Sequence, residues 1–417
     1  MRLARASMIV MIVMFGACTA KPDSPPPTAE QTPEPAKPEP REPKPSKLEP
    51  SKPEPPAPTK IEPAASFEDR FGGLWVDIGK DVALAPEGGY VLVGRSQRVD
   101  DRYDDDYQLA VIVLDAAGER RWSQDLGPEA TYQAGAGVVA DDQGLTIAGT
   151  SDAGGAGDDV WIVRLDWRGE TKWTKTLGGE ADEFARAIAP APAGGWLVVG
   201  GRKLGEARDA MAWRIGASGD EFFSKTLGGT GDDVASGLVQ SGDGWVVVGS
   251  SSSPEIASAG QDDGWILRLD SRGETSWSHA HGGPQTDRLF ALAASEGGWI
   301  AVGESDGRAW VLWTDGEGKQ VDQRSLVPGV LLDVAAQPSG AVVGGIRDEG
   351  LPEAWLAWLA PDRTQARERK FGFDRNAVEA LIPTPDGGLL LTGNWATINS
   401  NYGNIWACKL DAKGEGC

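Results

Sequence analysis

The feature that most constrains the fold of this sequence is a unit of about 50 residues that repeats along the chain. The unit is clearest from Asp232 to Gly283, where four apolar, β-branched runs are separated by turns and a polar loop. The glycine that ends the second run recurs at Gly94, Gly149, Gly200, Gly249, Gly303, Gly345 and Gly393. Such runs predict hairpins, and four short strands per repeat is typical of a propeller blade. The sequence therefore predicts an all-β, seven-bladed β-propeller of four-stranded antiparallel blades.

The two ends of the repeat predict how the ring closes. The fourth run has an aromatic residue five positions before its closing glycine, at Trp122, Trp173, Phe223 and Trp277. The last unit ends at Cys417, before its fourth run, whereas Phe67 lies five positions before Gly72 at the start of the domain. We expect residues 66–73 to supply the missing strand, because closure removes an exposed sheet edge. The fifth and sixth units lack this aromatic residue.

The first 17 residues predict a lipoprotein signal peptide. Arg2 and Arg5 precede an apolar run, Met8 to Phe15, which is shorter than the ~20 residues that span a bilayer. The following Gly16-Ala17-Cys18 resembles the bacterial lipobox, which implies cleavage before Cys18 and a lipid on that cysteine. Thr19 resembles the sorting signal of outer-membrane lipoproteins and implies that location, on the periplasmic or surface face. A plain secretory signal with an incidental cysteine is the alternative.

Residues 18–65 predict a disordered, proline-rich linker, and residues 66–417 the folded domain. Sixteen of the 28 prolines lie between Pro22 and Pro63, among lysines and glutamates. A segment with so few large apolar side chains cannot bury enough surface to offset its ordering entropy. A formal net charge of −22 argues against a nucleic-acid partner. No later run is long and apolar enough to span a bilayer, so we expect membrane contact only through the lipid.

The repeat resembles the bacterial seven-bladed β-propeller repeat (SBBP-type) of secreted and surface proteins. The residues that carry the resemblance are LGGTGDDVASGLV with WVVVG, and LGGEADEFARAIA with WLVVG. The predicted fold is also similar to PQQ-like quinoprotein propellers, but the adjacent cysteine pair of those enzymes is absent. Propeller architecture hosts many functions, so the resemblance implies fold and exported location rather than a reaction.

Acidic residues recur five positions beyond the first glycine of each glycine pair, at Asp77, Glu183, Asp233 and Asp287. They could form a ligand-binding ring, with Ca²⁺ as a weak alternative ligand. The interpretation we favour is local hydrogen bonding to backbone N–H groups. The loops after the second and fourth strands share one edge, which also carries Asp101, Asp104, Asp105 and Asp106. We predict that a partner binds on this edge, and no metal or cofactor is predicted.

Tryptophan and histidine residues give no catalytic signature. The periodic residues Trp161, Trp265, Trp310, Trp355 and Trp406 predict core packing, whereas Trp75, Trp167 and Trp395 are candidates for sugar or protein contacts. His279 and His281 lie on one strand without a third ligand or nucleophile, and no linear catalytic motif is present. The sequence favours a non-catalytic module that binds an envelope or surface protein. A carbohydrate-binding propeller is the alternative, followed by a hydrolase or lyase.

The sequence leaves open whether Cys408 and Cys417 form a disulfide. A two-residue hairpin turn after Asp411 would place them opposite each other, whereas a bulge at Gly414 would point them apart. An oxidising envelope would permit the bond.

Overall fold

The computed structural model describes residues 66–72, 76–97, 107–128, 131–153, 157–257, 261–372, 375–396 and 403–417. The predicted signal peptide and linker lie outside these residues. Across the described ranges the chain forms strands and no helix, which confirms the all-β prediction. It follows that these ranges contain no helix of the length and apolarity needed to cross a membrane.

The strands in chain order are β1 (Phe67–Phe71), β2 (Asp77–Leu84), β3 (Tyr90–Gln97), β4 (Tyr107–Leu114), β5 (Arg120–Leu126), β6 (Gln133–Asp141), β7 (Gly144–Ser151), β8 (Asp159–Leu165), β9 (Thr171–Leu177), β10 (Asp182–Pro190), β11 (Trp196–Leu204), β12 (Ala207–Ile215), β13 (Glu221–Leu227) and β14 (Asp233–Ser241). They continue with β15 (Gly244–Ser251), β16 (Asp263–Leu269), β17 (Thr275–His281), β18 (Asp287–Ser295), β19 (Gly298–Ser305), β20 (Arg308–Asp315), β21 (Gln320–Gln337), β22 (Gly340–Asp348), β23 (Pro352–Leu359), β24 (Gln365–Lys370), β25 (Arg375–Pro383), β26 (Leu389–Ala396) and β27 (Gly403–Leu410).

The strands form antiparallel sheets in units that follow the sequence repeat. The first four units are the sheets β2–β5, β6–β9, β10–β13 and β14–β17. The fifth unit is β18 to the first half of β21, and the sixth is the second half of β21 to β24. The seventh unit has the order β1-β27-β26-β25.

The described residues form six sheets, so the prediction of seven separate sheets is wrong. The fifth and sixth units share one seven-stranded sheet because β21 runs through both: Pro328 pairs with β20 and Gly329 pairs with β22. Elsewhere a glycine-containing loop interrupts the chain between units. The segment from Leu326 to Val330 has a single glycine, Gly329 at φ +133°, and lacks the glycine pair and the acid found at four other junctions, so the strand changes partner here without a loop.

The pairing predicted for the start of the domain is confirmed. Strand β1 pairs antiparallel with β27, with Phe67 opposite Lys409 and Phe71 opposite Ile405. The chain therefore places its first described strand in the same sheet as its last.

Seven apolar clusters join the units face to face. Each of six clusters lies between two consecutive units, for example Trp245 and Trp265 of the fourth unit with Leu197 of the third. The seventh cluster joins the last unit to the first, through Phe71, Ile405 and Val82. The first strands of consecutive units also lie side by side, and β25 contacts β2. Both faces of most sheets are covered, which explains their continuously apolar strands.

Cys408 and Cys417 form a disulfide, with their Cα atoms 5.9 Å apart. The turn between them has the bulged form, with Gly414 at φ +76° and its N–H donating to the Asp411 carbonyl. The expectation that a bulge separates the cysteines is wrong, because residues 415–417 lie outside any strand. Cys417, at φ +62°, turns back towards the buried Cys408 without following a ladder register.

We expect this disulfide to stabilise the domain by about 2–3 kcal/mol, as a bridge closing a short loop does. A reductant should lower the free energy of unfolding by that amount in the wild-type protein. The Cys417→Ala variant should start from the lower stability and show no response to reductant. Equal stability of wild type with and without reductant, measured by urea unfolding, would contradict the prediction.

Candidate functional site

The predicted acidic residues at the loop-to-strand junctions are buried. The side chains of Asp77, Glu183, Asp233 and Asp287 are between 0% and 6% exposed. Three of them accept a hydrogen bond from the N–H of the second glycine of the preceding pair. The donors are Gly179 for Glu183 (3.2 Å), Gly229 for Asp233 (2.9 Å) and Gly283 for Asp287 (2.7 Å). These carboxylates thus fix the loops of this edge from within.

The buried carboxylate also explains why the first residue of the pair is a glycine. Gly228 has φ +105°, and a Cβ atom there would lie 2.1 Å from the Asp233 Oδ2 atom. Gly72 has φ +135°, and a Cβ atom there would lie 2.0 Å from the Asp77 Oδ2 atom. Only glycine combines this backbone conformation with the close approach of the carboxylate. The repeated glycine–acid pattern is therefore a structural device of the junction.

Further carboxylates lie beside two of these junctions. A Cβ atom on Gly178 would meet both Asp159 and Glu183, and one on Gly282 both Asp263 and Asp287. Burial raises the pKa of Glu183, although the Gly179 N–H lowers it, and the charge of Asp159 raises it further. Among the described residues no group of three or more His, Cys, Asp or Glu side chains could hold a metal ion. Two carboxylates are fewer than the six to eight oxygens that surround Ca²⁺.

The long acidic loop of the sequence analysis, with Asp101, Asp104, Asp105 and Asp106, lies outside the described residues, as do Cys18 and Trp75. The prediction that a partner binds on this edge stays a prediction.

The two described tryptophans proposed for sugar contact are both engaged. The Trp167 indole N–H donates to the Asp141 carbonyl at 3.0 Å, and its ring packs against an apolar cluster. The Trp395 ring lies beneath two guanidinium groups, with Arg375 Cζ at 3.9 Å and Arg70 Cζ at 4.7 Å from its centroid. These contacts, a hydrogen bond with apolar packing for Trp167 and cation–π stacking for Trp395, favour a structural role for both rings.

The histidine pair stands in a ladder of rings on β17. The ring centroid of His279 lies 5.8 Å from that of Trp277 and 6.3 Å from that of His281. His281 Nε2 lies 2.9 Å from the Gly318 carbonyl oxygen of the next unit, and burial lowers the pKa of His281. The pair therefore belongs to the packing between the fourth and fifth units.

The prediction of core packing is confirmed for four of the five periodic tryptophans. The rings of Trp265, Trp310, Trp355 and Trp406 are at most 2% exposed, and Trp161 is half-buried. Each of the four fully buried indoles donates to a polar side chain on the fourth strand of its unit: Ser278, Gln323, Glu368 and Glu68. The fourth strand thus satisfies the N–H of the ring that the third strand buries.

One cross-strand pair of the fifth and sixth units was not predicted from the sequence. In the second, third, fourth and seventh units a basic residue of the third strand faces an aromatic residue of the fourth, as Arg268 faces Trp277. In the fifth unit Trp313 faces Asp322, and in the sixth Trp358 faces Arg367. The aromatic residue has therefore moved to the neighbouring strand. A second tryptophan three residues after Trp310 and after Trp355 was the available signal.

The two edges of the sheets differ in regularity. On the edge defined above, which we call the loop edge, the second and third strands are joined by between two residues (β11 to β12) and eleven residues (β15 to β16). On the opposite edge, the turn edge, the third and fourth strands are joined by five residues, or four in the fifth unit, and the first and second strands by two or five residues. The β11–β12 hairpin also presents Leu204 with 62% of its surface exposed. Variation is concentrated on the loop edge.

Two aspartates tie first strands together. Asp81 of β2 accepts the N–H of Val138 on β6 at 2.8 Å, and Asp333 of β21 accepts that of Leu381 on β25 at 2.7 Å. Burial raises the pKa of each carboxyl to about 7, although backbone hydrogen bonds lower it.

We expect stability to fall as the pH rises from about 4 to about 7 through these two groups. Their folded pKa lies above the unfolded value near 3.8, so the folded state binds more protons in this window. The urea midpoint should be higher at pH 5 than at pH 8. The Asp81→Asn/Asp333→Asn variant should show a flatter dependence, whatever its absolute stability. A wild-type midpoint that rises between pH 5 and pH 8 would contradict the assignment.

No family model matches the chain, and no curated protein matches it. Among solved structures, the crystal structure of Sqt1 from Chaetomium thermophilum is similar with 13% sequence identity and a TM-score of 0.46, over 83% of this chain and 92% of that chain.

Proposed function

We propose that the seven units are the blades of a closed β-propeller, as the resemblance to the bacterial propeller repeat implies. Two observations support closure: β1 completes the sheet of the last unit, and an apolar cluster joins that unit to the first. The shared strand β21 joins two blades without changing their number.

We further propose that this propeller is a non-catalytic binding or scaffolding module. The observation that carries this proposal is the contrast between a regular turn edge and a variable loop edge. Buried carboxylates hold the loop edge in place while loop length and sequence differ between blades. Binding residues are often carried on such loops above a rigid scaffold. The exposed Leu204 supplies an apolar contact there.

The partner we propose is a protein of the bacterial envelope or surface, and the lipid on Cys18 would hold the module at the outer membrane. A linker rich in proline would act as a semi-rigid spacer between the lipid and the propeller. The carbohydrate-binding alternative keeps Trp75 as its candidate, because Trp167 and Trp395 are engaged in packing.

A pull-down from envelope extract tests the module. The full chain is compared with a loop-edge variant, Leu204→Glu/Arg208→Glu, and a turn-edge control, Lys413→Glu. We expect one stoichiometric protein to be captured by wild type and control and lost with the loop-edge variant. Equal capture by all three would refute the loop edge as the interface, and substrate turnover by the purified chain would refute the non-catalytic role.

The anchor is tested separately. The wild-type chain should fractionate with membranes, and the Cys18→Ser variant should be released in soluble form. Membrane association of that variant would refute lipid anchoring.

A further inference from the structure

A cleft of about 630 Å³ opens between the fifth and sixth units on the turn edge. Its volume lies within the range of small-molecule sites. The cleft lies at the opposite edge from the proposed protein interface, so its function is independent of that proposal.

The repeat itself shows why this space is open. Trp196, Trp245 and Trp299 occupy the start of the second strand in three consecutive units. The Trp245 ring is 1% exposed and packs into the preceding unit against Ala189 and Ala191. In the sixth unit the corresponding residue is Ala341, which lines the cleft. An indole ring is therefore missing at this place.

The cleft retains the polar group that an indole would use. The Trp245 indole N–H donates to the carbonyl of Pro190 in the preceding unit at 2.9 Å. Pro190 pairs with Trp196 within its unit, just as Ala294 pairs with Trp299 in the fifth unit. Ala294 lines the cleft, so its carbonyl corresponds to the acceptor used by Trp245.

The mouth of the cleft carries a strained arginine. Six other third-to-fourth-strand turns place glycine at this position, with φ between +76° and +88°: Gly118, Gly169, Gly219, Gly273, Gly318 and Gly414. In the sixth unit the residue is Arg363, at φ +68°. A non-glycine residue in this region is strained, and such strain is concentrated at functional sites.

The guanidinium of Arg363 stands over the aromatic wall. Its Cζ atom lies 5.9 Å from the Trp313 ring centroid, and its Nη1 atom lies 3.5 Å from Asp322 Oδ2. A ring entering the cleft would meet Trp313, Leu359 and this guanidinium. Glu296 also lines the cleft, so two carboxylates accompany one guanidinium at its mouth. This balance favours a ligand that carries a positive charge beside its ring.

We propose that the cleft binds an indole, or an aromatic ring of similar size, carried next to a cationic group. The ring would take the place that tryptophan fills in the three preceding units. Its N–H would donate to the Ala294 carbonyl, and its charge would lie beside Glu296. The ligand is a free arylalkylamine or a tryptophan next to a basic residue in a peptide.

The test is a titration of the full chain with tryptamine. Binding is measured by calorimetry and by the change in the NMR chemical shift of the Trp313 indole N–H. That signal is assigned with Trp313→Phe. We expect saturable binding that shifts the Trp313 resonance. The Ala341→Trp variant fills the cleft from within and should lose the binding. The matched control Ala207→Trp, at an exposed site on the loop edge, should bind as wild type does.

Two comparisons define the chemistry. Arg363→Gly restores the glycine of the other turns and removes one positive charge from the mouth, so it should raise the preference for tryptamine over indole-3-propionate about 2- to 5-fold. Indole-3-propionate, with the opposite charge, should bind about 2- to 5-fold more weakly than tryptamine. A Lys-Trp peptide that binds more tightly than tryptamine identifies a peptide source, and the reverse order identifies a free amine.

If saturating tryptamine does not change the Trp313 chemical shift in the wild-type protein, the proposal is overturned. This result does not depend on whether Ala341→Trp folds. Binding that persists in a folded Ala341→Trp variant overturns it as well.

Discussion

Replacing residues 67–71 with a glycine–serine stretch of equal length should lower the free energy of unfolding by about 5 kcal/mol or more. Loss of a buried phenylalanine alone costs about 3–5 kcal/mol, and the strand hydrogen bonds add to this. Phe71 is 5% exposed in the cluster that joins the last unit to the first. Glu68 would also be lost as the acceptor of the Trp406 indole N–H, at 3.0 Å.

The measurement is urea unfolding combined with hydrogen exchange. Protection should fall in β25–β27 and also in β2–β4, because both groups of strands contribute to the same cluster. The substitution of exposed Asp69 by serine is the control and should change stability little. A stability loss confined to β27, with β2–β4 unchanged, would contradict the closed ring.

The Asp386→Ala variant should lose about 3 kcal/mol, because it removes an ion-pair partner from a buried lysine. The side chain of Lys409 is 0% exposed, and its Nζ atom lies 2.5 Å from Asp386 Oδ2. Although burial raises the pKa of Asp386, hydrogen bonds from Lys409 and Thr384 outweigh it and hold the pKa below its usual range. We take the lower end of the range for a broken buried pair because Asp386 is 34% exposed.

A double variant separates the charge from the packing. Asp386→Leu/Lys409→Met removes both charges and should be more stable than Asp386→Ala, since no buried charge remains. Equal losses in the two variants, measured by urea unfolding, would show that the ion pair contributes little.

Local sequence signals determined the elements of this fold. Glycine and aspartate fix turn positions through backbone φ and local hydrogen bonds, as Asp166 does by accepting the N–H groups of Arg168 and Glu170. The spacing of Phe67 before Gly72 predicted its pairing with the last sheet, because the same spacing marks the fourth strand of four other units. The periodic spacing of the core tryptophans predicted their burial, because a residue repeated at one position of each unit packs between neighbouring units.

The contacts between strands and between units were decided only by the tertiary structure. The Cys408–Cys417 bond depends on residues that leave the ladder, which strand register does not describe. In the sixth unit the Trp358–Arg367 pair keeps one aromatic and one basic residue but exchanges their strands, so a one-dimensional pattern reads it as a loss. The cleft arises because Ala341 of one unit faces Trp313 of another, and sequence periodicity describes each unit alone. The repeat determines which residues form each unit, and the packing between units determines where a cleft remains and which charges line its mouth.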